Sequence, residues 1–182
     1  MKPLPLLLCT ASIFLLVLNG CSTTPKPPIA QISLNVQEDI NFYRTDANLS
    51  EARPVVIRLY ELTSLAAFNS TDFLSIFNDY QSALSNELLF SEEFRLVPGM
   101  RQKFKRPLNL DTRYVGVVAA FRDLENAQWK AFTPVPVKEK EPEIYIFLKE
   151  NQILIGAKEP CGFFCRMWTP EPEPGTLYEV IE

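Results

Sequence analysis

Residues 114–121 read YVGVVAAF and contain no charged side chain. An apolar run of this length, rich in valine, is typical of a strand that is buried on both of its faces. Gly116, Ala119 and Ala120 are small, so a bulky group can pack closely against this strand. The run therefore predicts the central strand of a sheet that has other parts of the protein packed on both faces.

Shorter runs along the chain predict further strands. Ile32, Leu34 and Val36 alternate with polar residues, which indicates a strand covered on one face. Residues 54–62, PVVIRLYEL, combine β-branched and aromatic residues after a proline at the first strand position, where the missing amide donor is tolerated. The other candidate strands are 94–97, 104–110, 129–137, 143–148 and 153–155. Pro98-Gly99 predicts a hairpin between the runs on either side of it, and Glu150-Asn151 predicts a second hairpin.

Residues 64–90 change to a helical period. Their apolar residues recur at intervals of three and four, which predicts an amphipathic helix whose apolar stripe packs on the sheet. The stripe consists of Phe73, Phe77, Tyr80, Leu84 and Leu88. Ser70 or Thr71 can cap the helix, and Asp72 would lie in its first turn, where a negative charge is favourable. The chain is therefore predicted to be a mainly β protein, an antiparallel β-sandwich of seven or eight strands with a helical insertion between strands 2 and 3.

The segment between the first two strands, residues 38–52, fits neither period and is predicted to be a long loop. Loops of this length in compact domains are often functional or disordered. Phe42 and Tyr43 lie in it, either folded back over the end of the sandwich or available for binding.

Composition argues against several classes of function. The chain has 22 acidic and 18 basic residues and no dense basic run, so nucleic acid is not an expected partner. It has no histidine, which removes the commonest general base and the commonest metal ligand. We expect no metal, no cofactor and no enzymatic activity.

The N-terminus has the features of a signal peptide that directs a protein to the cell envelope. An apolar run from Leu6 to Leu18 is too short to span a bilayer, but it suits the core of a signal peptide. It is followed by Asn19-Gly20-Cys21, which matches a lipobox, the site of bacterial lipid attachment. Residues 1–20 are thus predicted to be removed, and residues 21–29 to form a lipidated, proline-rich tether. Ser22 after the cysteine favours the outer membrane, with the protein facing the periplasm.

The predicted sandwich domain covers residues 30–156, and residues 157–182 differ from it in character. Cys161 and Cys165 lie there, and in an oxidising periplasm they are expected to form a local disulfide, with free thiols as the alternative. An acidic, proline-rich run, 170–175, follows. We interpret it as a solvated tail, with a docking peptide or a brace on the sandwich left open.

Several motifs, taken in order, resemble the outer-membrane lipoprotein of bacterial type VI secretion systems, the TssJ family. They are the lipobox, RPVVIRLYEL at 53–62, AFN at 67–69, Asp72-Phe73, Pro98-Gly99, and 114–123 followed by Trp129. The resemblance implies a transthyretin-like β-sandwich without enzymatic activity.

The same resemblance implies a partner and a place of contact. The partner is the periplasmic domain of the large inner-membrane subunit TssM, and the contact involves the loop between the first two strands. Interface chemistry, in which buried aromatic residues anchor a contact, selects the side chains within that loop. The candidate contact residues are Asn41, Phe42, Tyr43, Asp46, Asn48 and Leu49.

Two other functions remain as alternatives. A binding module for a small ligand or glycan could use Tyr114, Trp129 and Trp168, and it would need a tryptophan exposed on a flat face. A glycosidase could use two carboxylates such as Glu92 and Glu93. Adjacent residues of one strand point to opposite faces, however, which argues against that pair.

Overall fold

The computed structural model describes residues 26–42, 44–45, 48–49, 52–136 and 141–158. The strands in this part of the chain are β1 (Ile29–Val36), β2 (Arg44–Thr45), β3 (Asn48–Leu49), β4 (Val55–Leu62), β5 (Leu88–Leu96), β6 (Arg101–Pro107), β7 (Tyr114–Ala119), β8 (Lys130–Pro134), β9 (Glu143–Lys149) and β10 (Gln152–Lys158). The helices are α1 (Ala66–Ser70), α2 (Phe73–Asn78) and α3 (Tyr80–Leu84), followed by a 3₁₀ turn at Ser85–Glu87.

Eight of the strands form two sheets of four. Sheet A has the order β10-β9-β1-β6, and sheet B has the order β5-β4-β7-β8. The small β2–β3 hairpin pairs with neither sheet. This confirms the predicted sandwich of eight strands with helices between its second and third strands, β4 and β5. One pairing departs from the antiparallel pattern, because β1 and β9 run parallel in the middle of sheet A.

The main core lies between the two sheets. Alternate residues of β1 and β9 face inward from sheet A, among them Ile32, Leu34 and Ile146. Val115 and Val117 of β7 meet them from sheet B. This alternation is the one that the sequence predicts for β1.

A second core lies on the other side of sheet B, beneath the helices. Tyr60, Leu62 and Val118 face the helices there and pack against Phe68 and Ile76. Strand β7 is therefore buried on both faces, as predicted, and every residue from Val115 to Ala119 is buried.

Gly116 shows why this strand needs a small residue. A Cβ atom at this position would lie 2.7 Å from Cε2 of the Phe68 ring. The ring itself is completely buried. The helical layer can approach sheet B this closely only because Gly116 has no side chain.

The predicted single helix over 64–90 is wrong in its continuity, although its apolar stripe does pack on the sheet. The region is divided into three short helices, which are followed by a 3₁₀ turn before β5 begins. Thr71 takes an extended conformation after α1, and its hydroxyl donates to the carbonyl of Ala67 at 2.7 Å. Asp72 then starts α2 as its N-cap, since its carboxylate accepts from the Ser75 amide at 3.1 Å. Asp72, rather than Ser70 or Thr71, is the capping residue, and its hydrogen bonds to Ser75 lower the pKa of its carboxyl.

The predicted hairpin across Pro98-Gly99 is also wrong. Strand β5 belongs to sheet B and β6 belongs to sheet A, so the turn carries the chain from one sheet to the other. Gly99 has a φ of 74°, and its amide donates to the carbonyl of Gln37. The second predicted hairpin, β9–β10 across Glu150 and Asn151, is present.

Candidate functional site at the loop end of the sandwich

The two ends of the sandwich differ in what they carry. At one end, β1 starts at Ile29, and residues 26–28 lead into it from the predicted tether. At the other end, β1 stops at Val36 and the long segment to β4 begins. We call these the tether pole and the loop pole. A strand of eight residues separates them, which is about 23 Å at the usual rise per residue.

Asn41 fixes the base of the long loop at the loop pole. It is buried, with a φ of 55°, a left-handed conformation that asparagine tolerates better than most residues. Its side-chain nitrogen donates to the carbonyl of Pro54 at 2.8 Å, and its side-chain oxygen accepts the amide of Arg122 at 2.8 Å. Its own amide donates to the carbonyl of Glu150 at 2.8 Å. One residue thus joins the start of β4, the loop after β7 and the β9–β10 turn.

Its neighbours extend this attachment. Ile40 is completely buried in the main core. The carbonyl of Phe42, a half-buried residue, accepts from the side-chain nitrogen of Asn151 at 3.1 Å. The amide of Arg53 donates to the carbonyl of Ile40 at 3.2 Å, which closes the loop at its base. The two ends of the loop are therefore held on the sandwich.

Beyond this base the loop contains regular structure that its sequence does not predict. Strands β2 and β3 pair antiparallel, with Arg44 opposite Leu49 and Thr45 opposite Asn48. The candidate contact residues Asn48 and Leu49 thus lie on the second strand of a small hairpin. Tyr43 and Asp46 lie outside the described residues.

The structure separates the candidate contact residues into two groups. Asn41 and Phe42 belong to the attached base, whereas Asn48 and Leu49 belong to the hairpin that extends from it. The residues that hold the base, Pro54, Arg122 and Asn151, were not selected from the sequence. They are 13, 81 and 110 positions away from Asn41, and no local pattern connects them.

An ion cluster around a buried carboxylate lies at the tether pole. The carboxylate of Glu61 is 1% exposed and accepts from Nη2 of Arg106 at 2.6 Å, the Thr112 hydroxyl at 2.7 Å and the Asn109 amide at 2.8 Å. Nη1 of Arg106 donates to Glu92 at 2.9 Å. The cluster connects β4 and β5 of sheet B with β6 of sheet A and with the chain that follows β6. The backbone near the tether joins the same region, since Leu108 donates its amide to the carbonyl of Pro28.

The side chains proposed for the alternative functions are engaged in packing or in ion pairs. Trp129 is half-buried, contacts both cores, and meets the ring of Phe73 edge to face at 5.4 Å. It does not form an exposed flat platform, and Trp168 lies outside the described residues. Glu92 and Glu93 point to opposite faces of β5, as predicted, where they pair with Arg106 and Arg58 respectively.

Among the described residues, no group of three or more His, Cys, Asp or Glu side chains is placed to bind a metal ion. In the same part of the chain, no helix is long and apolar enough to cross a bilayer. Cys21, Cys161 and Cys165 lie outside the described residues.

The fold and the loop together define the class of this protein, a small two-sheet sandwich with a helical cover that presents a long loop at one end. Its family follows from comparison with known proteins. Residues 28–158 match the family described as type VI secretion lipoprotein, VasD, EvfM, TssJ, and the chain belongs to this family. The match ends at the last residue of β10.

Solved structures agree with this assignment. The T6SS lipoprotein TssJ1 from Pseudomonas aeruginosa is 32% identical, with a TM-score of 0.66, and the alignment covers 74% of this chain and 99% of that chain. Lip from Serratia marcescens, described as a membrane-bound component of the type VI secretion system, is 27% identical with a TM-score of 0.62, and the alignment covers 71% of this chain and 97% of that chain.

A third structure shows the fold alone. It is described as the T6SS protein TssM C-terminal domain from EAEC, with 21% identity and a TM-score of 0.52 over 69% of this chain and 98% of that chain. A comparison with curated protein sequences found no match.

Proposed function

We propose that this chain is a non-enzymatic adaptor that holds the periplasmic domain of TssM at the outer membrane. Lipid on Cys21 anchors the sandwich in that membrane, facing the periplasm, and the loop between β1 and β4 binds the partner. The observation that carries the proposal is that the predicted tether enters at one end of β1, whereas the long loop leaves from the other end.

The tether limits how far the sandwich can stand from the membrane. Cys21 and Ile29 are eight residues apart, which is about 27 Å when fully extended. Adding the length of β1 places the loop pole within about 50 Å of the lipid. The loop leaves from the end of β1 opposite the tether, where a partner that extends from the inner membrane can reach it.

The loop is built to present a contact without weakening the fold. Its base is attached through Asn41, Phe42 and Asn151, so little conformational entropy is left to lose there on binding. The β2–β3 hairpin extends beyond that base and contains Asn48 and Leu49. The family assignment supports this role.

The loop is tested by replacing residues 44–49 with a Gly-Ser linker in the mature chain, which leaves Ile40, Asn41 and Phe42 in place. Binding to the TssM periplasmic domain is measured by calorimetry. We expect binding to be lost while thermal unfolding stays cooperative and close to that of the wild type. Undiminished binding would overturn the assignment of the loop.

A matched control replaces the turn residue Val97 with serine, since this side chain is 50% exposed and lies at the same pole but outside the loop. This variant should bind as the wild type does. The anchor is tested separately by Cys21→Ser and membrane fractionation. We expect a folded, soluble periplasmic protein, and recovery of this variant in the outer membrane would contradict lipid anchoring.

A further inference from the structure

The outer face of sheet A is uncovered in the part of the chain that the structure describes. The helices cover sheet B only, and no described element lies over the opposite side of the sandwich. The register brings apolar side chains together on this face. Tyr145 of β9 lies opposite Gly156 of β10, and Phe147 lies opposite Leu154. Tyr145 is 40% exposed, and no described residue lies within 4 Å of where a Cβ atom of Gly156 would be.

Basic residues lie on the same outer face, beyond the polar row of β1 that separates them from this apolar strip. Strand β6 is the edge of sheet A, and Arg101 and Lys103 lie on the same outer face, opposite Asn35 and Ser33 of β1. Both are exposed, and no carboxylate among the described residues lies within ion-pair distance of either. The next cation along, Lys105, is already paired with Glu141 at 3.2 Å. The face therefore combines an apolar strip with two cations that have no acidic partner among the described residues.

The segment that follows β10 has the complementary composition. Residues 159–182 contain five glutamates and one arginine, together with Phe163, Phe164, Met167 and Trp168. The family match stops at residue 158, so this segment is an addition to the shared fold. It starts at the end of β10, which is the strand of sheet A farthest from β6.

The distances allow the segment to cross the sheet. Three strand spacings separate β10 from β6, which is about 14 Å. The ten residues 159–168 can span about 33 Å when extended. The aromatic residues come first along the segment and Glu171 and Glu173 come next, which is the order in which a chain leaving β10 would pass the apolar strip and then β6.

We propose that residues 159–182 dock on the outer face of sheet A. The aromatic residues cover Tyr145, Phe147, Leu154 and the open space at Gly156, and the glutamates pair with Arg101 and Lys103. Because the segment is attached to the same sheet, its effective concentration is high and it competes well against a separate molecule. The added segment thereby covers the face that the shared fold leaves open.

Photo-crosslinking on the mature Cys21→Ser chain, with all residues to 182, tests this placement. p-Benzoylphenylalanine replaces Tyr145, and the adducts are mapped by mass spectrometry on an equal mixture of ¹⁴N- and ¹⁵N-labelled protein. We expect adducts to residues 159–182 of the same molecule. The control places the photoreactive residue at Phe132, which is 42% exposed on sheet B, and should give no adduct with the segment.

Charge variants provide a second measurement. Arg101→Glu combined with Lys103→Glu should lower the yield of the adduct by about threefold, the effect of losing two screened charge contacts. The matched control, Arg95→Glu with Arg113→Glu, changes two exposed arginines away from this face and should leave the yield unchanged. Adducts only between differently labelled molecules, no adduct with the segment, or an equal yield in both double variants would overturn the proposal.

Discussion

The side-chain oxygen of Asn41 accepts the backbone amide of Arg122 at 2.8 Å, which ties the first residues of the long loop to the chain that leaves the central strand β7. The two residues are 81 positions apart, so this contact forms only when both sheets are assembled. It explains how a long loop can be held firmly at its base on the end of a small sandwich.

Replacing Asn41 with alanine should destabilise the fold. The substitution removes two hydrogen bonds, to Pro54 and Arg122, and puts alanine at a φ of 55°. We expect a loss of about 2–4 kcal/mol in the free energy of unfolding, measured with urea. Asn126→Ala is the control, because this exposed side chain bonds to Asp123 and to no other described residue, and it should change stability by about 0.5 kcal/mol or less. An equal effect of both substitutions would contradict the role of Asn41.

Gly116→Ala tests the close approach of the helical layer. The added Cβ would clash with the ring of Phe68, which is completely buried. A loss of about 1–3 kcal/mol is expected from overpacking. The comparison is Gly156→Ala in a chain that ends at Lys158, since no described residue lies within 4 Å of the added Cβ, and its effect should be near zero or slightly stabilising. A neutral result at Gly116 would mean that the helices do not pack as described.

Glu61→Ala should be among the most damaging single substitutions at the tether pole. The substitution removes one of the two carboxylates that pair with Arg106. It also leaves the Thr112 hydroxyl and the Asn109 amide without their acceptor inside the protein. Removing one partner of a buried ion pair lowers the free energy of unfolding by about 3–5 kcal/mol. Glu93→Ala is the matched control, because this exposed glutamate pairs with Arg58 at the surface. Denaturant unfolding should show a clear difference between the two, and similar losses would contradict the buried cluster.

Alkaline pH should weaken the fold through Tyr60. Burial raises the pKa of its hydroxyl from 10.0 to about 12, and the hydroxyl donates to the carbonyl of Ile76 at 2.8 Å. The unfolded chain then loses this proton before the folded chain does, so stability is lost as pH rises above 10. The loss should reach about 1 kcal/mol by pH 11. Urea unfolding at pH 8 and pH 11 gives the difference in the free energy of unfolding between the two pH values. Tyr60→Phe should make this difference smaller by about 1 kcal/mol. The same difference in both proteins would show that Tyr60 is not its source.

Local patterns predict the strands of this protein well, because a strand buried on one face has alternating apolar residues and a strand buried on both faces has a continuous apolar run. Alternation identifies β1, and the uncharged run identifies β7. The helical stripe is also correct, since Phe73, Phe77 and Tyr80 do pack over sheet B. Periodicity does not show where a helix is interrupted, however, because that depends on single caps such as Asp72.

The pairing of distant elements could not be predicted in the same way. A turn at Pro98-Gly99 is compatible both with a hairpin and with a crossing between sheets, and only the assembled core decides between them. The parallel pairing of β1 with β9 and the ion pair of Glu61 with Arg106 join residues far apart in the chain. The base of the loop at Asn41 depends on contacts of the same kind.

Hydrogen exchange of the mature Cys21→Ser chain, with and without the TssM periplasmic domain, shows which end of the sandwich binds the partner. We expect slower exchange in the partner's presence for amides of residues 38–52 at the loop pole. We expect no change for residues 26–30 and 107–113 at the tether pole. Slower exchange confined to the tether pole, or no change in the loop while the complex forms, would contradict binding at the loop pole.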